Sequence, residues 1–572
     1  MGGISMANIS VSTAVAKVLK EEGVEWYSGV HGGHLWQLMG QIAKTGIKMY
    51  HMRHEQSGVY CAEGWARSTG KPGVCFGTAG PGYGNMVSGI YQAYLSRSPV
   101  ICLLGQHPTS EDGWGPFQEG YAEPVTSHFT KWTRRVVDPT MAAYYVQKAF
   151  RDAMTYPMGP VALELPVNVM GQIAGDENDL RGCPPSGIVG APAQPAGDPQ
   201  IVEKTVRMLV KAKRPIIVAG DGIFWSKASA ELREFVELLS IPVITRRMGR
   251  GAVPEEHPLA FSGGFRRSIQ MQADVVAIFG LRMNTLEGFG LPPRYPAENV
   301  KYIQIAEDPE ELTTRLPTEF SISGSPKQVL RQMINFAKDL KAKPDRSEWV
   351  AYVAEQKELD RVATKEAVDK VRNNIPIHPD FLAAEIVDFL DKDATAILDG
   401  FSMSGWFTDK FKATFAGQLL DGATWAGVGH SVGMAIGAQL GRPGKQVVAL
   451  LGDGGLGISG FDIETAARYN LPVCYIVYNN SGWMNPSSQK LMLPEVTDSW
   501  SMLPNIRYDK VFAEMGCHTE YVTEPRQIKP ALERSFKSGK TSVLNVIPDS
   551  TIMPPQQQGR IEHYRKLAEV KK

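Results

Sequence analysis

The chain has 572 residues, with 60 Lys and Arg set against 60 Asp and Glu, so its formal charge is zero; 43% of it is hydrophobic and 21% charged. That balance argues against a general nucleic-acid binder, whose affinity needs a basic surface, and no run of about 18 apolar residues is present to cross a membrane. The length exceeds what one hydrophobic core fills, so about three or four domains are expected. Six cysteines (Cys61, Cys75, Cys102, Cys183, Cys474, Cys517) lie scattered, mostly within apolar runs and without metal-ligand spacing. This is the usage of reduced core thiols. The first residues, MGGISMANIS, carry neither a basic nor a long apolar leader segment, and the final VKK is not a peroxisomal signal; a cytoplasmic enzyme is expected.

In chain order, a first block over 6–175 alternates helix-period segments with short β-branched runs: EWYSGV, VCFGTAG, VICLLGQ and VALELPV read as strands. A stretch from about 175 to 200, rich in Pro, Gly and Asp and without periodicity, reads as a linker. A second block, 200–342, opens with a helix near 201–212 and continues through RPIIVAGDG, a helix near 228–239, IPVITRR, DVVAIFG and VKYIQIAED. A charged helical stretch around 343–370 ends at the turn NNIPIHP. The third block, 377–548, starts with a helix near 380–389 and the strand TAILDG, and a tail of 549–572 follows. Strands alternating with helices in this way imply parallel sheets covered by helices on both faces, a doubly wound α/β class in three domains.

The third block holds the most chemistry. LLGDGGLGISGFDIETAARYNLPVCYIVYNN runs a strand into Asp453, and a second strand into Asn479 and Asn480. In an open parallel sheet ligands sit beyond the carboxyl ends of strands, so Asp453 and Asn480 are placed to offer two oxygens to one hard cation. Oxygen ligation with positions left open suits Mg²⁺ held together with a phosphate group. Gly454 and Gly455 let backbone N–H groups approach that phosphate. Either segment alone is also ordinary turn chemistry; the pair, at this spacing, is not.

GDGG followed by NNSG resembles the diphosphate-binding motif of thiamine diphosphate-dependent enzymes. The resemblance implies thiamine diphosphate and Mg²⁺ as cofactors, with Asp453, Asn480 and the Gly482 carbonyl as metal ligands. It extends to the first block, where RHEQSGVYCAEGWARSTGKPGV is similar to the family's pyrimidine-binding segment. Glu55 is then the carboxylate that hydrogen-bonds the aminopyrimidine, reaching it across a subunit interface, so a homodimer at least is implied and a homotetramer is usual. Alone, Glu55 is also a plain first-turn acid.

Three more segments carry the resemblance. FQEGYAEP places Gln118 beside the cofactor; DGATWAGVGHSVG is similar to the loop that bends it, giving Ala426 and Val428 as contacts; and Ser402 joins the cofactor set. In SGVHGGHLW, where relatives more often have an apolar loop, the resemblance implies that the loop carrying His31 and His34 faces the thiazolium, and either is suited to proton transfer near neutral pH.

Within the family, GLRMNTLEGFGLPPRYPAENVKYIQ in the middle block and QQQGRIEHY in the tail resemble 2-hydroxyacyl-CoA lyases and oxalyl-CoA decarboxylases. They imply an acyl-CoA substrate, with Arg282 and Arg560 as candidate contacts, the tail as an active-site lid, and ADP or a CoA nucleotide in the central domain. Against the nucleotide, Gly220–Asp221 and Ala306–Glu307 depart from that site's usual residues. The implied activity is cleavage of a 2-hydroxyacyl-CoA to formyl-CoA and an aldehyde or ketone. An acetolactate-synthase-like carboligase or a 2-oxoacid or oxalyl-CoA decarboxylase is the alternative, suggested by HGGHLW and GTAGPGYGN.

Overall fold

The computed structural model describes residues 8–180, 194–312, 316–400, 403–483 and 503–553. Three parallel sheets succeed one another along the chain. Across the first, the strands are Lys48–His51, Trp26–Gly29, Gly73–Gly77, Val100–Gln106, Val161–Pro166 and Thr133–Arg135. Across the central one they are Val243–Thr245, Pro215–Ala219, Val275–Phe279, Lys301–Ala306 and Thr318–Ser323. The third has Leu419–Asp421, Thr395–Leu398, Val447–Gly452, Val473–Tyr478, Ser542–Val546 and His518–Val522. Counted along the chain, the first and third sheets both have the order 2-1-3-4-6-5 and the central one 2-1-3-4-5. In each, the order reverses between the first and third strands, where the following segments diverge and leave a crevice.

The doubly wound α/β reading of the sequence holds, and the burial pattern shows why. Successive strand residues point to opposite faces, and in these strands both faces are apolar. Val74, Phe76, Ile101 and Leu103 enter a core with the helices Val11–Glu21 and Ala142–Met154, while Cys75, Cys102 and Leu104 enter another with Glu55–Thr69 and Pro81–Leu95. In the third sheet Val447, Ala449 and Leu451 face one core and Val448 and Leu450 the other. Continuous apolar runs of this kind mark strands buried on both sides.

The sequence pattern left several short strands unread, among them Asn8–Ser10, Thr133–Arg135 and Thr318–Ser323. Ile173–Asp176, where the sequence reads as the first block giving way to a linker, is another, pairing antiparallel with Asn8–Ser10. Its Gly and Asp give no strand signal, and its partner is distant in sequence. The charged stretch is a single helix, Ser347–Val371.

The first and third sheets share a helical layer. Glu55–Thr69 lies between the first sheet and the helix His430–Gly441, and Tyr60 and Cys61 belong to the third sheet's core. The two helices touch backbone to backbone. A Cβ on Gly437 would fall inside the carbonyl oxygen of Cys61, one on Gly64 inside that of Met434, and one on Gly433 would crowd Ser57. Around this contact, Glu63 is fully buried and accepts from Gln92 (2.9 Å), Ser96 (2.7 Å) and Arg67 (3.2 Å). Asp421 joins the blocks: Arg247 of the central block reaches it at 2.7 and 2.9 Å and Arg67 of the first at 3.5 Å. Burial opposes its ionisation, but the two guanidiniums outweigh that and hold its carboxyl down at about 2.

Gly437→Ala is therefore expected to destabilise the protein by about 1–3 kcal/mol through overpacking against fixed backbone. Gly40→Ala, at a helical glycine with open space around it, is expected to leave stability unchanged or raise it slightly. Thermal unfolding of both variants checks the contrast.

Candidate active site

The third sheet's carboxyl edge positions an acid and an amide side by side. Gly452 pairs with Tyr478 across neighbouring strands, so Asp453, one residue beyond the first, and Asn480, two beyond the second, meet past the strand ends. Both are buried. Asp453 opens the short helix Asp453–Ser459; its Oδ2 accepts from the Gly482 N–H at 3.1 Å, whereas its buried Oδ1 has no partner. Burial pushes this carboxyl up to about 6, against nearby backbone N–H groups that pull it down. An orphaned carboxylate oxygen in a desolvated site costs roughly 1–3 kcal/mol, a cost that a bound cation would remove.

The neighbouring asparagines divide their work. Asn479 donates to the Ile506 carbonyl (3.1 Å) and to Asn545 Oδ1 (3.0 Å), tying strand ends together. Asn480 stands at the edge with Asp453. Among the described residues, no group of three or more His, Cys, Asp and Glu side chains is arranged to hold a metal. A cation here would rest on one carboxylate, one amide and backbone oxygen, leaving positions for phosphate, which is the donor set Mg²⁺ takes. The turn above it is tightly cradled. A Cβ on Gly454 would press on the Trp483 ring at 2.9 Å, and one on Gly455 would stand 3.3 Å from Val428.

Val428 belongs to a loop held from below. Asp399, just beyond the strand Thr395–Leu398, accepts from Gly429 N–H (3.1 Å) and Ser431 N–H (3.0 Å). His430 sets its ring nitrogens against the carbonyls of Gly427 (2.6 Å) and Leu398 (3.1 Å). Ala426 is forced to a φ of 52°, a left-handed conformation that costs a residue with a Cβ about 1 kcal/mol. The strain is concentrated where the loop presents Val428, 36% exposed, to the crevice.

The first sheet's carboxyl edge carries the other predicted residues. Glu55 is the first residue of Glu55–Thr69, with His54 capping the helix through Nδ1 to the Gln56 N–H at 3.2 Å. Its half-buried carboxylate accepts from Asn85 Nδ2 at 2.9 Å. His34 follows the strand Trp26–Gly29 and its Nδ1 lies 3.1 Å from Thr78 Oγ1, beyond the adjacent strand Gly73–Gly77. Burial, and then His107, lowers its proton affinity below that of ordinary imidazole. Gln118 has a φ of 59° and its backbone lies against Gly80, so it borders the same crevice. His31 is exposed and its Nδ1 is 2.6 Å from His51 Nε2. Among the described residues, no hydrogen bond or ion pair joins Glu55 to the turn at Asp453.

Arg282 sits elsewhere. Its guanidinium donates to the Leu95 carbonyl and pairs with Glu311 at 3.5 Å, beside Arg97, which reaches Asp308 at 2.9 Å. At the turn at Gly220, Gly222 N–H donates to the Gly280 carbonyl (2.9 Å) and Asp221 accepts from Met248 N–H (2.9 Å), and Asp221, Arg247 and Arg282 line a small pocket beside it. Of these groups, Arg282 and Arg97 brace the first block against the central one. Ser402 and Arg560, and the tail from 554 onward, lie outside the described residues. Sequence reasoning passed over Thr78, Asn85, Asp399 and His51. Thr78 and Asp399 end strands as Asp453 does and were open to the same argument; Asn85 and His51 carry no local signal.

The chain matches the thiamine pyrophosphate enzymes in three parts: the N-terminal TPP binding domain over residues 9–126, the central domain over 202–333 and the C-terminal TPP binding domain over 401–546. It belongs to this family, and is a thiamine diphosphate-dependent enzyme. Its relatives divide by activity at similar distance. An acetolactate synthase large subunit of Mycobacterium tuberculosis is 29% identical over 543 residues, 95% of this chain and 96% of that protein. 2-Hydroxyacyl-CoA lyase 1 of Mus musculus is 27% identical over 566 residues, 96% of each. The 2-hydroxyacyl-CoA lyase of Arabidopsis thaliana is 28% identical over 573 residues, 97% of this chain and 98% of that protein.

Because a cation would bind the ionised Asp453, protons compete with it below about pH 6. Cation-dependent cofactor affinity is expected to fall about tenfold per pH unit there, and Asp453→Asn is expected to abolish most of the affinity at every pH. Calorimetric titration of the apoprotein with thiamine diphosphate and Mg²⁺ from pH 5 to 8 measures both.

Proposed function

We propose that the chain is a lyase that cleaves a 2-hydroxyacyl-CoA to formyl-CoA and an aldehyde or ketone, and that runs in reverse as a carboligase. Short branched substrates such as 2-hydroxyisobutyryl-CoA, which gives acetone, are included. The observation that carries this reading is His34, half-buried against Thr78 with lowered proton affinity. Breaking the C1–C2 bond requires loss of the 2-hydroxyl proton, and a neutral imidazole beside the crevice is a base for it; decarboxylation of a 2-oxoacid has no such hydroxyl. The lyase relatives and the middle-block motifs support the same choice.

In this reading Asp453, Asn480 and the Gly482 carbonyl hold Mg²⁺, and the N–H groups of Gly454 and Gly455 hold the diphosphate. The Ala426 carbonyl, Val428 and Ser402 hold the rings, and Glu55 keeps a proton at the aminopyrimidine. Bound thiamine diphosphate supplies the electron sink for breaking the bond between C1 and C2 of the acyl group. His34 takes the hydroxyl proton as the C2 oxygen becomes a carbonyl, and a proton returned at C1 completes formyl-CoA, so atoms balance without an oxidant or reductant. Gln118 orients the thioester carbonyl, His31 exchanges protons with solvent, and Arg560 in the tail contacts the CoA portion.

The site is completed in a homodimer, the first block of one protomer facing the third block of the other, with a homotetramer as the expected assembly. Exposed apolar side chains around both edges support this: Trp114 is 84% exposed, Phe117 80% and Phe461 67%, with Trp36, Ile458 and Trp483 also uncovered. Such patches mark association surfaces. Acetolactate synthase activity is the second reading, favoured by the mycobacterial relative.

Incubation with thiamine diphosphate, Mg²⁺ and a panel of straight and branched 2-hydroxyacyl-CoAs is expected to release formyl-CoA. Acetolactate from pyruvate alone, with no formyl-CoA from any substrate, would overturn the lyase reading. Glu55→Gln is expected to lower turnover by roughly 10²–10⁴-fold with cofactor affinity largely retained, read by steady-state kinetics and cofactor titration.

A further inference from the structure

The loop His31–His34 and the segment His51–Arg53 leave neighbouring strands of the first sheet, paired in register through Gly29 and His51. Two donors converge on one nitrogen there. The backbone N–H of His31 points at His51 Nε2 from 3.4 Å, and His31 Nδ1 lies 2.6 Å from the same atom. A backbone N–H has no role but to donate, so His51 Nε2 presents its lone pair. The proton in the 2.6 Å contact then belongs to His31 Nδ1, and His51 carries its own proton on Nδ1. What remains is His31 Nε2, unprotonated on an exposed ring.

His51 is fixed for this task by the third block. Its N–H donates to Tyr469 Oη at 3.0 Å, and its carbonyl accepts from Arg468 at 2.9 Å. Two residues on, Arg53 N–H donates to the buried Asp462 at 2.8 Å and the Arg53 side chain pairs with Glu464 at 2.8 Å. All four partners come from one helical run, Gly460–Asp462 and Ile463–Arg468 with Tyr469 after it. The charges around the His51 ring also favour its neutral form. Burial, His31, Arg468 and Arg53 lower its proton affinity, and Glu464 alone opposes them.

We propose that His51 is a positioning residue that fixes the tautomer of His31, leaving Nε2 of His31 as the proton-exchanging nitrogen at the mouth of the active site. The arrangement follows the logic of a base oriented by a hydrogen-bonded partner on its far nitrogen. Its catalytic use rests on the reading that His31 exchanges protons with substrate or solvent; the tautomer itself does not.

Long-range ¹H–¹⁵N spectra of the full-length apoprotein with ¹⁵N-labelled histidine, assigned with His31→Ala, read the tautomer without substrate or cofactor. The expected result is His31 protonated on Nδ1 and bare on Nε2 near neutral pH. His51→Gln, whose carboxamide oxygen still accepts, is expected to keep that form; His51→Leu is expected to lose it. In turnover, His51→Leu is expected to lower kcat/KM by roughly ten- to a hundredfold and shift its pH profile, with His51→Gln recovering most of it. The double variant His31→Ala/His51→Leu is expected to be no worse than His31→Ala. A wild-type His31 protonated on Nε2, or losses that add in the double variant, would overturn the proposal. The expected tautomer with no formyl-CoA from any substrate would support the positioning role and instead overturn the lyase reading.

Discussion

The backbone contact between the helices Glu55–Thr69 and His430–Gly441 is the constraint on which the rest depends. Gly433, Gly437 and Gly64 remove the side chains that would keep the helices apart, and the first and third sheets become the outer layers of one slab. Close approach also buries Glu63 and Arg67, whose charges must then be met inside the protein. Gln92, Ser96 and Asp421 meet them, and Arg247 extends the network to the central block. Closely packed layers with two discrete faces transmit position well, so the strand ends carrying Glu55 and those carrying Asp453 are held in a fixed relation.

Against that rigid frame the candidate site is where local rules are broken. Asp453 leaves a buried oxygen unpartnered, Ala426 takes a left-handed backbone, and the loop from Gly427 to Ser431 needs Asp399 beneath it and its own His430 ring against Gly427. Each costs stability that the helix contact and the cores on both faces of each sheet supply. Strain and unsatisfied polarity gathered at one crevice are marks of a preorganised ligand site.

The central block serves as a brace. Its sheet repeats the 2-1-3-4 part of its neighbours' strand order, yet at the turn beside its crevice Gly222 donates to Gly280, and Arg282 and Asp308 reach the Leu95 carbonyl and Arg97 of the first block. Shared topology therefore does not mean shared binding: a crevice is a site only where backbone donors and side chains are left for a ligand. The helical run following the GDGG turn shows the reverse case, an element of one sheet whose side chains hold the loop of another.

The fold was largely legible in the sequence because its strands are buried on both faces and read as unbroken apolar runs, such as VICLLGQ and VVALLG, punctuated by Gly and Asp. The places of Asp453, Asn480 and Glu55 beyond strand ends were legible for a related reason, since they stand in short motifs and a motif is contiguous in sequence. The edge strand Ile173–Asp176 was not, because only its pairing with Asn8–Ser10 makes it a strand. Nor were the separate tasks of Asn479 and Asn480, the bracing of Arg282 by Glu311, or the meeting of His31 with His51. The sequence by itself determined the class, three apolar-stranded α/β blocks and a diphosphate-type turn, because these depend on local patterning. Tertiary structure alone decided which polar groups are spent inside the protein and which are left over for chemistry, because a hydrogen bond is a pairing in space and most of these partners lie far apart along the chain.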